Sequence, residues 1–152
     1  MNVKVLMSDV DGTLLTSEGR VSDLTREAIK NVREKGILFG LSTGRDVHSV
    51  RNSLKDWGID GLVDAIVGTG GAEICDISMN VERSSLPLDG GAIREIIRHF
   101  EDMDVNFAIP SGGILYAPKD DEHIRMLSKA DRIPSRVVDF DRFLEEPRAK
   151  VM

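Results

Sequence analysis

A single cysteine stands in the 152 residues. Cys75 has no partner within the chain, so an internal disulfide is excluded and a reducing compartment is expected. It sits in a strand-like run without a histidine nearby, and it reads as a packed thiol rather than a nucleophile. Clustered positive charge is missing as well. Lys and Arg number 20 against 26 Asp and Glu, a net charge of −6. With no basic tract to follow a phosphate backbone, nucleic acid is not an expected partner. Long apolar runs are also lacking. The N-terminus carries one early lysine and too short an apolar run for a signal peptide or a membrane span, so a cytoplasmic protein without a membrane partner is expected. His48, His99 and His123 keep no metal-ligand spacing and read as surface or packing residues. The six methionines form no stripe, Glu145 and Glu146 read as a solvated face, and no repeat or low-complexity segment occurs.

What is present is ordinary globular composition, 41% hydrophobic and 30% charged. The length suffices for a core. The chain is organised around residues 3–15. Val3, Val5, Leu6 and Met7 open a short apolar strand, and Asp9-Val10-Asp11-Gly12-Thr13 follows it. Strand side chains alternate, so Asp9 and Asp11 are expected to leave the strand end on one side. Two close like charges repel unless a cation or a shared proton separates them. The pair is therefore a candidate site for a hard cation such as Mg²⁺. An Asp-Gly turn cap accounts equally for this tetrapeptide taken alone.

The following residues predict β-α-β-α-β. Ser22 reads as an N-cap of a helix running to about Lys35, with Leu24, Ala28, Ile29 and Val32 as its apolar stripe. Residues 37–41 read as a second strand, apolar on both faces. Val47, Val50, Leu54 and Trp57 mark a second helix that Gly58 closes, and residues 63–67 a third strand. In an open parallel sheet the ligand site lies at the carboxyl ends of the strands. The acidic turn and Ser42-Thr43-Gly44-Arg45 both fall there. Gly68-Thr69-Gly70-Gly71 reads as a hinge into a second module, since no helix follows to complete a phosphate cradle. The expected division is a core over residues 1–71 and a second α/β unit over 72–152. In the second unit, a hairpin is expected at 73–77 and 81–85 around Met79-Asn80. A helix follows at 92–100, then strands at 105–109 and 114–117 joined by Pro110-Ser111-Gly112-Gly113. A short helix at 123–129, a helical turn near Phe140 and Phe143, and an opening strand at 149–152 complete the pattern.

Asp-x-Asp-Gly-Thr-Leu after an apolar strand resembles the first motif of the haloacid dehalogenase (HAD) superfamily of phosphohydrolases. Leu41-Ser42-Thr43-Gly44-Arg45 is similar to its second motif as the Cof-type sugar-phosphatase branch writes it. The resemblance implies a Rossmann-like parallel sheet with helices on its faces and, from residue 72, the start of an inserted α/β cap. It implies a Mg²⁺-dependent phosphohydrolase of small phosphomonoesters such as sugar phosphates. Asp9 would be the nucleophile and Asp11 the general acid and base, with Mg²⁺ held by Asp9 and Asp11. Phosphate would be held by the turn at Val10, Asp11 and Gly12, by Thr43, by the Gly44 N–H at the following helix start, and by Arg45. Where the family writes Asn-Gly-Ala, this chain has Gly70-Gly71-Ala72. The family's later lysine and Gly-Asp…Asp loop are not in this sequence, and Lys150 lies in cap-like sequence. A non-catalytic fragment that binds Mg²⁺ or phosphate is therefore the alternative expectation. A response-regulator-like phosphoacceptor fits less well, because its acidic residues lie on different strands. With three core strands ordered 1-2-3, Val3, Val5, Leu6 and Met7 would form a bare apolar edge and one sheet face would lack helical cover. Self-association through that edge is expected.

Overall fold

The computed structural model describes residues 3–85 and 87–152. Two compact units are present, Met1–Arg83 and Ser84–Met152. In the first, β1 (Val5–Ser8), α1 (Asp23–Glu34), β2 (Leu38–Ser42), α2 (Val47–Trp57) and β3 (Ala65–Gly68) alternate as expected. β1, β2 and β3 pair in parallel. β4 (Glu73–Asp76) then pairs antiparallel with β3, and β5 (Val81–Ser84) completes the sheet in the order β1-β2-β3-β4-β5. The hairpin therefore belongs to the first sheet. The division falls between Arg83 and Ser84 rather than after Gly71, because the 68–71 glycines make a tight reversal, not a hinge. Thr69, Gly70 and Gly71 all take positive φ there.

Local signals explain the helices. Ser22 caps α1 by accepting from the Thr25 amide at 3.1 Å. Gly58 ends α2 in the left-handed conformation. Successive right-handed crossovers in one direction place both helices on the same face. Phe39, Leu41, Ile66 and Cys75 point into that face and join Val50, Leu54 and Trp57 in the core. Cys75 is the expected packed thiol, and burial pushes its pKa up. Of the predicted α1 stripe, Ile29 is buried, Val32 half-buried, and Leu24 and Ala28 exposed. The reason is position: α1 packs against β2, next to the edge where β1 ends the sheet.

The other face is bare. Val5 pairs with Leu38, and the two are 46% and 53% exposed. Met7 lies over Gly40, where an added Cβ would collide with its sulfur. Ile74 stands exposed on the same face, opposite Val67.

At the end of the sheet away from the acidic turn, Arg33 clasps Asp64. Nε and Nη2 donate to the carboxylate at 3.1 and 2.7 Å, and the Phe39 amide donates to the same group at 2.9 Å. Burial acts to raise the Asp64 pKa, but the Arg33 and Phe39 bonds outweigh it and hold it below 3.8. The stabilisation is therefore present in full above that ordinary value and is lost as pH falls through the lower folded one. Asp64→Asn is expected to cost about 1–3 kcal/mol at pH 7. The gap between wild type and variant should narrow at pH 3 in denaturant titrations. A gap of constant size would show that the pair contributes no pH-dependent stability.

The second unit holds α3 (Gly90–His99), β6 (Ile109–Ser111), β7 (Ile114–Ala117), α4 (Glu122–Asp131), β8 (Ser135–Val137) and α5 (Phe140–Phe143). Its sheet order is β6-β7-β8. Strand β6 begins at Ile109, later than the expected 105–109, and Pro110 lies within it. An edge strand tolerates the missing donor. Residues 149–152 form no strand, although Met152 and Ala108 exchange both backbone bonds at 2.9 Å. Ile93, Ile109 and Leu144 make one core cluster, and Ala108, Leu115, Ala117, Ile124 and Ile133 another.

Candidate active site

Strand β1 ends at Ser8, one residue earlier than an alternation carried through Asp9 requires. The turn keeps the alternation nonetheless. Val10 is fully buried, whereas Asp9 and Asp11 on either side of it are exposed. The Val10 carbonyl accepts from the amides of Thr13, Leu14 and Leu15 at 3.4, 3.0 and 3.1 Å, which curls the chain back on itself. Gly12 takes φ +77° at the tip, a conformation that costs glycine little.

The second motif lies at the adjacent strand end. Thr43 is buried, its amide donates to the Val67 carbonyl at 2.9 Å, and its carbonyl accepts from Gly70 at 3.1 Å. Its Oγ1 accepts from the Arg45 amide at 3.2 Å. The hydroxyl also carries a proton that it can donate. Gly44 is exposed, with nothing near its missing Cβ.

The helix start lies elsewhere than expected. α2 begins at Val47 with Asp46 as N-cap, so the Gly44 amide belongs to the loop before it. Asp46 Oδ1 accepts from the Ser49 amide at 3.1 Å, and Glu73 Oε2 accepts from the Val47 amide at 3.1 Å. Two carboxylates thus already take the Val47 and Ser49 amides of this N-terminus.

Arg45 reaches across to the first motif. Its Nε and Nη2 donate to the two Asp11 oxygens at 2.7 and 3.0 Å, over 34 positions of sequence. The Arg45 hydrogen bond holds the Asp11 carboxyl below its ordinary range, against a smaller opposing effect of burial. The guanidinium also lies 5.9 Å from the Trp57 ring centre. Asp11, Thr43 and Arg45 are thus joined through one network, and Val10, Gly12 and Gly44 belong to the same two loops. Sequence reasoning missed Glu73, which accepts from Thr69 Oγ1 at 2.8 Å as well as from Val47. It also missed Asp46, although an Asp before an apolar-periodic run is an N-cap signal.

These features have counterparts among known proteins. Residues 6–152 match the haloacid dehalogenase-like hydrolases. Over 93 residues the chain is 37% identical to 5-amino-6-(5-phospho-D-ribitylamino)uracil phosphatase YcsE of Bacillus subtilis (strain 168), covering 59% of this chain and 35% of that protein. Over 120 residues it is 31% identical to 5-amino-6-(5-phospho-D-ribitylamino)uracil phosphatase YwtE of the same organism, covering 79% and 40%. A haloacid dehalogenase-like hydrolase from Bacteroides thetaiotaomicron superposes with a TM-score of 0.81 at 19% identity, covering 99% of this chain and 57% of that one. The HAD subclass IIB sugar phosphatase BT4131 gives 0.78 at 20% identity, covering 96% and 56%. The likenesses to solved structures show the shared fold. The chain thus spans 35% and 40% of the length of the two curated relatives. With both motifs at adjacent strand ends and the match running over nearly all its residues, the chain belongs to the haloacid dehalogenase-like hydrolases.

Proposed function

We propose that this chain carries the nucleophile, the general acid and the phosphate loops of a Mg²⁺-dependent phosphohydrolase acting on small phosphomonoesters such as sugar phosphates. The observation that carries this reading is the bonding of the Asp11 turn to the 43–45 loop across adjacent strand ends. Asp9 attacks phosphorus through a carboxylate oxygen, and the ester P–O bond breaks. Asp11 gives its proton to the leaving alkoxide, then takes one from the water that cleaves the aspartyl-phosphate. The Thr43 hydroxyl donates to a phosphate oxygen, and the backbone at Val10, Gly12 and Gly44 lines the same anion.

The donors fit a hard cation in kind. Among the described residues no group of three or more His, Cys, Asp or Glu gathers as a metal cluster. Mg²⁺ accepts one or two carboxylates, with water and phosphate completing its shell. Asp9 and Asp11 would hold it, and it would neutralise charge between nucleophile and phosphate.

A second reading is a chain that binds Mg²⁺ or phosphate without turnover. The small acidic set among the described residues favours it. Phosphate release from a panel of sugar phosphates and ribityl phosphates, with and without Mg²⁺, separates the two. Mg²⁺-dependent release supports the enzyme, and Mg²⁺ binding without release supports the second reading. We place the protein in the cytoplasm, in keeping with its single, buried cysteine. No described helix is long and apolar enough to cross a membrane.

A further inference from the structure

Arg45 has a rigid backbone and a side chain on an exposed partner. Its amide is held by Thr43 Oγ1, and its carbonyl accepts from the Thr69 amide at 2.7 Å. The next residues are fixed by the Asp46 cap and by Glu73. Any movement therefore belongs to the side chain. The Arg45 side chain is 18% exposed and that of Asp11 is 55% exposed, so the carboxylate end of the pair is open to solvent.

A guanidinium fork fits a phosphate as well as a carboxylate, with the same two parallel N–H···O bonds. A phosphomonoester dianion offers more charge and more oxygens than Asp11 does. While both Asp11 oxygens are bonded to Arg45, neither is aimed at a leaving group. Once phosphate occupies the two loops, both anions compete for one fork.

We propose that Arg45 is a positioning residue that exchanges partners, holding Asp11 when no phosphate is bound and releasing it when a phosphomonoester takes its guanidinium. This rests on the phosphohydrolase reading above. The exchange couples substrate arrival to the freeing of the acid. It also imposes a cost on phosphate binding, because the Arg45–Asp11 pair must open first.

The test is a double-mutant cycle read by calorimetry, with inorganic phosphate as the probe and no Mg²⁺ present. Wild type, Asp11→Ala, Arg45→Ala and the double variant are compared. Removing Asp11 lowers repulsion in either background. It releases the fork only where Arg45 is present. The gain in phosphate affinity on removing Asp11 is therefore expected to be about fivefold larger in the wild-type background than in the Arg45→Ala background. Arg45→Lys, a point charge without the fork, should give an intermediate gain. The Arg45 Nε–H resonance gives a second readout, and it should shift with the calorimetric midpoint.

Equal gains in the two backgrounds, or an Nε–H resonance unmoved at saturating phosphate, would overturn the exchange and leave the phosphate site standing. Failure of every variant to bind phosphate would overturn the phosphohydrolase reading and the exchange together.

Discussion

Asp9→Asn is expected to reduce phosphate release by on the order of 10³-fold or more. The amide keeps the size of the side chain and removes the attacking charge. Asp9 is exposed at the end of β1 and carries no structural ion pair in the network that joins Asp11 to Arg45. Folding should therefore survive, and thermal unfolding should be nearly unchanged. Calorimetric titration of Mg²⁺ provides the control, with a lower heat for the variant than for wild type. Equal heats would remove Asp9 from the metal site, and retained turnover would remove it as the nucleophile. A longer form that also carries the family's lysine and Gly-Asp…Asp loop should turn over faster than this chain by about 10²–10³. Equal rates would show that the two loops described above suffice.

The second large effect is on assembly. In the first unit, β1 ends the sheet and pairs only with β2. Val5, Leu6 and Met7 are all exposed, as is Val3 before them. One side of that edge continues into the bare face with Leu38. Unpaired N–H and C=O groups beside apolar side chains are a template for another strand. The expected occupant is a second copy, with β1 pairing antiparallel to its own equivalent across a twofold axis. An edge that pairs with itself is isologous, so the contact closes at two chains. Light scattering over a concentration series should show monomer passing to dimer. Val5→Lys adds a second charge to this edge in both copies and should raise the midpoint at least about tenfold. A wild type that stays monomeric at high concentration, or a Val5→Lys variant that associates equally well, would reject this interface.

The sequence made the body and the C-terminal stop of α2 legible, though not the Asp46 cap at its start. Its apolar residues, its glycine stop and the motif before it are all local signals, and the helix runs Val47–Trp57. The acidic turn was equally legible, because alternation around Val10 needs only three consecutive residues. Long-range choices were not. β8 is Ser-Arg-Val, exposed throughout and placed after Pro134, so nothing in it announces a strand. It exists because β7 offers a parallel edge. The 73–84 hairpin was recognised as a hairpin but assigned to the wrong unit, since strand pairing is not encoded by either strand alone. Arg45 read as an anion contact, and its bond to Asp11 spans 34 positions. Glu73 reaches the Val47 amide over 26 positions, and no spacing rule reports that.

The order of strands in the first sheet repeats their order along the chain. Each strand joins the one made just before it, and no strand waits for a later one to be inserted between its neighbours. Each parallel pairing then closes over one crossover, as Val5 with Leu38 and Gly40 with Ala65, and none has to span the whole sheet. A ribosome delivering the chain from its N-terminus can therefore build the motif-bearing side of the sheet vectorially. β1, β2 and the loops at residues 9–13 and 42–45 would be assembled while later residues are still being synthesised.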